Sequence, residues 1–293
     1  FRAIHPDLLR AQESNKKWQG ALIPEDPFAP AGSDQLDYTR VEYTSEWTPM
    51  ADGSASRAGR SDAVPDSVSY LSEYFESSFT YSARDIDRMA RLQAQGINYS
   101  ITREKTEAVM RGWRSLKNKI FSVGDSAKGL VGIINHPDIL RLDLGASFGP
   151  GQSATDNLAD LNTLSSAIAT ASNGSEQANT VVLPIQTYYD LTNTIFANAS
   201  ESSVLRTFLK NDPSIRGAEM AAELGQSVNG ASDYVFVYDR SPEKITRVVP
   251  KEITFMPPQQ VGNGYEVYCH GQISGVHIKY PFSAILASFT RTV

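Results

Sequence analysis

A single cysteine, Cys269, is all the chain offers, so no internal disulfide can form and a cysteine-ligated structural zinc site is not expected. Synthesis in a reducing cytosol fits that usage. Charge of one sign is also scarce. A net charge of -6 with 20% charged residues carries no basic domain of the kind that reads DNA sequence, while a local basic surface against a polyanion stays compatible. No apolar run approaches the length of a membrane span. Phe1-Arg2-Ala3-Ile4-His5 has no charged start followed by an apolar stretch, so neither secretion nor membrane insertion is expected. There is no P-loop, no H-E-x-x-H pair, no EF-hand loop and no repeat at a solenoid period. What remains is 293 residues, 41% hydrophobic, able to bury roughly three quarters of the surface exposed when unfolded.

The elements follow from local pattern. Pro6, Pro24, Pro27 and Pro30 break residues 1–35 too often for a packed start, so an extended arm is expected. Between Leu36 and Pro49, Tyr38, Val41, Tyr43 and Trp47 stand among polar residues in a β-branched and aromatic run, which reads as a partly exposed strand. The segment from Met50 to Ala63 carries Gly53, Gly59 and three serines with Arg57 and Arg60, the composition of a loop tip. A second strand from Val68 to Phe79 makes the whole a long two-stranded finger. Ser82 three residues before Asp85 opens a short helix that Gly96 closes. Residues 101 to 121 repeat Val109, Trp113, Leu116 and Ile120 at helical spacing, giving one long amphipathic helix whose polar side is basic, with Arg103, Lys105, Arg111, Arg114, Lys117 and Lys119. After a glycine-punctuated loop come a short strand at 138–144, a helix at 155–171, a buried strand at 180–184, and helices at 185–197 and 201–210. Strands follow at 234–238, 245–255, 265–272 and 275–281.

Each chemical signal has a plainer competitor. Gly149-Pro150-Gly151-Gln152-Ser153-Ala154 imitates a pyrophosphate-binding turn, but Pro150 removes a backbone donor and no acid follows at the end of a strand to hold a ribose. Ser153 would be the nucleophile of a serine hydrolase, with His270 or His277 downstream, yet Thr155 spoils the elbow motif. Cys269 and His270 are neighbours on a strand and point to opposite faces, so they cannot share a metal with His277. Asn98-Tyr99-Ser100, Asn173-Gly174-Ser175 and Asn198-Ala199-Ser200 match the glycosylation pattern without a secretory context. No catalytic residue, cofactor or metal is expected. An arm and a protruding finger that cannot be stable alone point instead to packing on neighbours.

In order, these parts resemble the major capsid proteins of tailed bacteriophages, the Hong Kong 97-type fold. The wording is most specific at Phe121-Ser122-Val123-Gly124-Asp125 and Gly129-Leu130-Val131-Gly132-Ile133-Ile134-Asn135-His136-Pro137, where the family joins its spine helix to the axial domain. Thr180-Val181-Val182-Leu183-Pro184 through Leu191 is similar to the strand and helix inside that domain. The resemblance implies an α+β fold with an N-terminal arm (1–35), an extended two-stranded loop (36–79), a peripheral domain (80–138 and 236–293) with a spine helix at 101–121, and an α/β axial domain (139–235). It further implies hexamers and pentamers of this chain, assembled in a bacterial host's cytoplasm into the icosahedral head of the virion, with scaffold or cement proteins as further partners. Tyr43, Trp47, Arg57 and Arg60 would touch the next subunit. Arg103, Arg111, Arg114 and Lys117 would face packaged double-stranded DNA without reading its sequence. Relatives that cross-link covalently use a lysine at the loop tip, and Met50 to Ala63 contains none. Two alternatives stand beside this reading: a bacterial nanocompartment shell of the same fold around a cargo enzyme, and the Ser153 hydrolase.

Overall fold

The computed structural model describes residues 15–48, 60–97, 99–196, 202–230 and 232–292. Residues 1–14 of the expected arm and most of the expected loop tip, Arg57 included, lie outside the described residues.

The later part of the arm is not loose. A 3-10 turn, Lys17–Gln19, seats Trp18 in the core, with its backbone N–H on Asn118 Oδ1 (3.2 Å) and its indole N–H on Glu223 (3.1 Å). Leu22 and Ile23 are fully buried, and the Tyr238 hydroxyl donates to the Leu22 carbonyl. Proline denies this segment a regular ladder, but a single extended strand can still bury large side chains.

β1 (Gln35–Ser45) and β2 (Ser61–Leu71) form an antiparallel hairpin in unbroken register from Gln35↔Leu71 to Ser45↔Ser61. The expected second strand, 68–79, is divided. β2 begins seven residues earlier, at Ser61, because pairing with β1 overrides the turn-like composition of Ser61-Asp62-Ala63. After Ser72, β3 (Glu73–Ser82) leaves for a different sheet. Ser72 pins the crossing: its N–H donates to Asp34 O (2.9 Å) and its hydroxyl accepts from Gln272 Nε2 (2.7 Å).

α1 (Ala83–Ala94) starts at a complete capping box between Ser82 and Asp85. α2 (Ile101–Ser122) is the long helix, followed by β4 (Leu140–Ser147), α3 (Ala154–Ala171), β5 (Thr180–Pro184), α4 (Ile185–Asn193), α5 (Val204–Asn211), β6 (Gly217–Ala221) and α6 (Gln226–Asn229). The remaining strands are β7 (Asp233–Tyr238), β8 (Ile245–Val248), β9 (Lys251–Phe255), β10 (Gln259–Val261), β11 (Gly264–Ile273), β12 (Gly275–Ile278) and β13 (Ala284–Arg291).

Five strands form the central sheet in the order β4-β13-β7-β5-β6, with β13 parallel to β4 and antiparallel to β7. Period-two alternation gives this sheet two apolar faces. Val182, Phe236, Tyr238 and Leu286 join Trp18, Trp113, Ile120, Phe121, Leu130 and Ile133 on one side. Val181, Leu183, Val235, Val237, Ile285 and Ala287 meet Leu161, Leu164, Ile168, Leu205 and Phe208 of α3 and α5 on the other. A second sheet, β10-β11-β3 with β9 also on β11, carries α2 across one face. The helix lies so close there that a Cβ at Gly271 would sit 2.6 Å from the Trp113 ring.

Candidate assembly surfaces

The hairpin base is locked by a polar cluster. Tyr38 on β1 places its hydroxyl 3.1 Å from Asp26 Oδ2 and 3.1 Å from His277 Nδ1. Tyr70 on β2 stacks on the His277 ring at 4.1 Å and donates to Ile278 O (3.0 Å). The Ser274 hydroxyl donates to Leu71 O (2.7 Å), so the His277 Nε2 proton, 2.7 Å away, is the one donated to Ser274. Burial holds both nearby histidines neutral, His277 down to about 3 and His136 down to about 4. Asp26 accepts from Phe28 N (3.0 Å) and pairs with Lys279 (3.1 Å). Burial alone would raise its carboxyl, but these contacts outweigh it and leave the group below its ordinary range.

The distal half of the hairpin is bare. Partners across an antiparallel pair share a face, so the register sorts the residues into two surfaces. One carries Val41, Pro65, Tyr43 and Ala63, and Trp47 continues its parity; Tyr43 is 82% and Trp47 90% exposed. The other carries Arg40, Asp66, Glu42, Asp62 and, one step beyond the strand, Glu46 opposite Arg60, whose carbonyl accepts from Glu46 N (3.1 Å). Tyr43 and Trp47 thus lie together, and Arg60 lies on the opposite face.

Along α2 the basic stripe divides by burial. Arg103 is exposed. Arg111 and Arg114 are half-buried and both reach Glu107 Oε1, each at 3.2 Å. Lys117 departs from the expectation that it faces outward. It is 8% exposed, its ammonium pairs with Glu252 (2.5 Å) and lies 5.8 Å from the centre of the Trp113 ring, and Trp113 Nε1 donates to the same carboxylate (2.7 Å). Lys117 thus ties the helix to β9.

The turn after α2 explains its own wording. Gly124 and Gly129 hold φ of 82° and 68°, in the left-handed region. At Gly132 a Cβ would collide with the Ile120 carbonyl. Asn135 Oδ1 accepts from Gly132 N (2.7 Å) while its amide donates to Leu130 O (3.1 Å) and Ser126 Oγ (3.3 Å). Val131 then accepts from Val276 N (2.8 Å), which stitches the turn to β12.

The other candidates are occupied structurally. Ser153 caps α3, bonding Asp156 through its N–H (3.1 Å) and its carboxylate (2.7 Å). The three described histidines have their own neighbours: His270 with Lys251 (2.8 Å), His277 in the hairpin cluster, and His136 with Asp138 N (3.1 Å). Gly149 is pressed against the Thr292 backbone, which closes the space a pyrophosphate would need. Cys269 is buried in β11 and donates to Ser77 O (3.0 Å). Among the described residues no helix is long and apolar enough to cross a membrane. Sequence reasoning missed the Asp26–Tyr38–His277 cluster, because His277 is more than 200 residues from the other two and no local pattern links them.

Set against solved structures, the fold is that of shell-building proteins. The capsid of Myoviridae phage XM1 superposes with a TM-score of 0.84 at 14% identity, over 98% of this chain and 96% of that one. The capsid of a native GTA particle gives 0.69 at 10% identity, over 99% and 95%. A virus-like particle from Pyrococcus furiosus gives 0.53 at 12% identity, over 91% and 90%. Residues 71–288 match the family described as Major capsid protein, and the chain belongs to that family. No curated protein matches it by sequence. Family and fold together imply a structural role, in association with further copies of the chain.

Proposed function

We propose that the chain assembles as hexamers and pentamers into the icosahedral head enclosing the double-stranded DNA genome of a tailed phage, and resides in that shell after assembly in the bacterial cytoplasm. The observation that carries this is the hairpin, a stalk locked at its base that presents Val41, Tyr43 and Trp47 to solvent at its far end. A two-stranded ribbon is marginal by itself in water, so a surface of this kind calls for a neighbour. Tyr43 and Trp47 contact the next subunit by apolar burial, and Arg57 and Arg60 by pairing with its acids. Arg103, with Arg111 and Arg114, faces the DNA and meets phosphates without reading sequence. Lys117 is left out of that surface. Scaffold or cement proteins join as further partners.

The proposed division is an arm (1–35), an extended loop (36–79), a peripheral domain (80–138 and 236–283) with its spine helix, and an axial domain (139–235) to which β13 is added. Its pairing with both β4 and β7 supports that addition. A nanocompartment shell around a cargo enzyme is the second reading, supported by the weaker of the likenesses, 0.53 against 0.84. Negative-stain electron microscopy with light scattering, on the chain expressed alone and with its neighbouring genes, tests the proposal. Closed shells or capsomer-sized rings are expected. A monodisperse monomer in both preparations overturns it, and a cargo protein in place of DNA moves the reading to the nanocompartment.

A further inference from the structure

We infer that the charged face of the hairpin docks on helix α1 of a second copy, with Arg84, Arg88 and Arg91 as the receiving row. The inference rests on the shell reading above and deepens it by naming the surface that receives the hairpin.

α1 is an exposed helix: none of its twelve residues is buried. Asp85, Met89 and Leu92 are half-covered on the inner side, while Arg84, Arg88 and Arg91 stand exposed on one outer stripe at the i, i+4, i+7 spacing. Among the described residues the ion pair of α1 is Asp85 with Lys105 (3.7 Å), and the three arginines take part in none. Asp87 shares this stripe and Arg88 acts on Asp85 through space, yet three guanidinium groups beside one exposed carboxylate leave the row with a surplus of positive charge and no ion pair of its own.

The matching half is on the hairpin. Its charged face carries four acids, Glu42, Glu46, Asp62 and Asp66, against Arg40 and Arg60. Arg40 is 3.8 Å from Asp66, whereas Glu42, Glu46 and Asp62 have no cation within ion-pair distance among the described residues. The spans are comparable. Seven residues of helix span about 10 Å, and the four-residue step from Glu42 to Glu46 spans about 13 Å of strand.

The two rows do not pair within one chain: among the described residues Arg84, Arg88, Arg91, Glu42, Glu46 and Asp62 take part in no ion pair. Along the chain they are set apart by β2, of 11 residues, and β3, of 10, with Ser72 at the crossing. Complementary patches at two different places on one molecule make a heterologous, head-to-tail contact, and such contacts close into rings when the rotation permits. A hexamer or pentamer is what that geometry builds.

Charge swapping tests the pairing. The Arg84→Glu, Arg88→Glu, Arg91→Glu protein and the Glu42→Lys, Glu46→Lys, Asp62→Lys protein are each expected to lose shell yield at least tenfold, and the combined protein to regain most of it. Independently, an Asp62→Cys, Arg88→Cys protein, whose remaining cysteine is buried Cys269, should on oxidation of assembled particles give a ladder of covalent oligomers up to the ring. Undiminished shells from both triple variants, no rescue in the combination, or monomers only on the oxidised gel would overturn the inference while leaving the shell reading intact. Loss of DNA retention with normal shells in the arginine variant would overturn it in favour of a DNA contact. Absence of shells or rings from the unaltered chain would instead remove the reading on which it rests.

Discussion

Replacing Lys117 by Met keeps most of the aliphatic stem beside Trp113 and removes only the ammonium. Breaking a fully buried ion pair costs about 3–5 kcal/mol, and an exposed pair is worth about 0–1 kcal/mol. This pair lies between, since the lysine side chain is 10% exposed and the Glu252 side chain 54%. With one partner largely in water, the loss should be about 1.5–3 kcal/mol, the range for a hydrogen bond to a charged group. Glu252→Gln keeps an oxygen for Trp113 and should cost less, and the double variant should cost less than the two losses added. The pH dependence has a definite sign. Burial would raise the Glu252 carboxyl, but the bonds from Lys117 and Trp113 outweigh it and hold it below its ordinary 4.5. A carboxyl depressed by folding stabilises above its unfolded value and loses that contribution as pH falls through the folded one. The deficit of the Met variant should therefore be full at pH 7 and shrink below about pH 4.5. Urea unfolding of the unassembled subunit at pH 7 and pH 4 measures both. Unchanged stability at pH 7 combined with weaker DNA retention in particles would refute the assignment and return Lys117 to the inner surface.

Other consequences can be checked alongside. Asn135→Ala removes three hydrogen bonds from the turn after α2 and leaves the Gly132 N–H without its acceptor, so a loss of about 2–3 kcal/mol is expected in the same unfolding assay. Tyr38→Phe takes the hydroxyl out of the Asp26–His277 bridge; the hairpin base should open more often, read as faster limited proteolysis between β1 and β2 with the core unaffected. His136 and His277 are neutral in the fold and ordinary when unfolded, so the unfolded chain binds more protons between about pH 4 and 6.5. Stability should fall as pH drops through that window, by up to about 1.4 kcal/mol per pH unit for each histidine, and His136→Gln should flatten the fall. Tyr43→Ser with Trp47→Ser should leave the subunit's own stability within about 0.5 kcal/mol, because both are exposed, while lowering shell yield on light scattering.

The parts of the fold with strong local signals were readable. The 101–121 period is α2 to within a residue, the Ser82 box opens α1, and the Thr180–Pro184 run is β5. Three features resisted. Residues 17–26 read as a free arm because prolines hide the fact that Trp18, Leu22 and Ile23 find a core made by α2 and β7. The 68–79 strand read as one element because the crossing at Ser72 is fixed by Asp34 and Gln272, not by a local breaker. β13 escaped as a separate strand because Ala284-Ile285-Leu286-Ala287-Ser288 alternates no polarity, being buried on both faces of the central sheet. The assembly surfaces divide likewise. Tyr43 and Trp47 announced themselves as large residues in a polar strand, whereas the fate of Lys117 depended on Glu252, which no helical pattern could bring to it.

A cryo-electron microscopy map of the assembled particle, resolved well enough to trace strands, tests most directly whether the hairpin joins one copy to the next. Residues 41–48 and 60–65 are expected to lie against a neighbouring subunit, with Tyr43 and Trp47 covered, and α2 to face the interior. A hairpin projecting into solvent in every subunit, or folded back on its own chain, would contradict it.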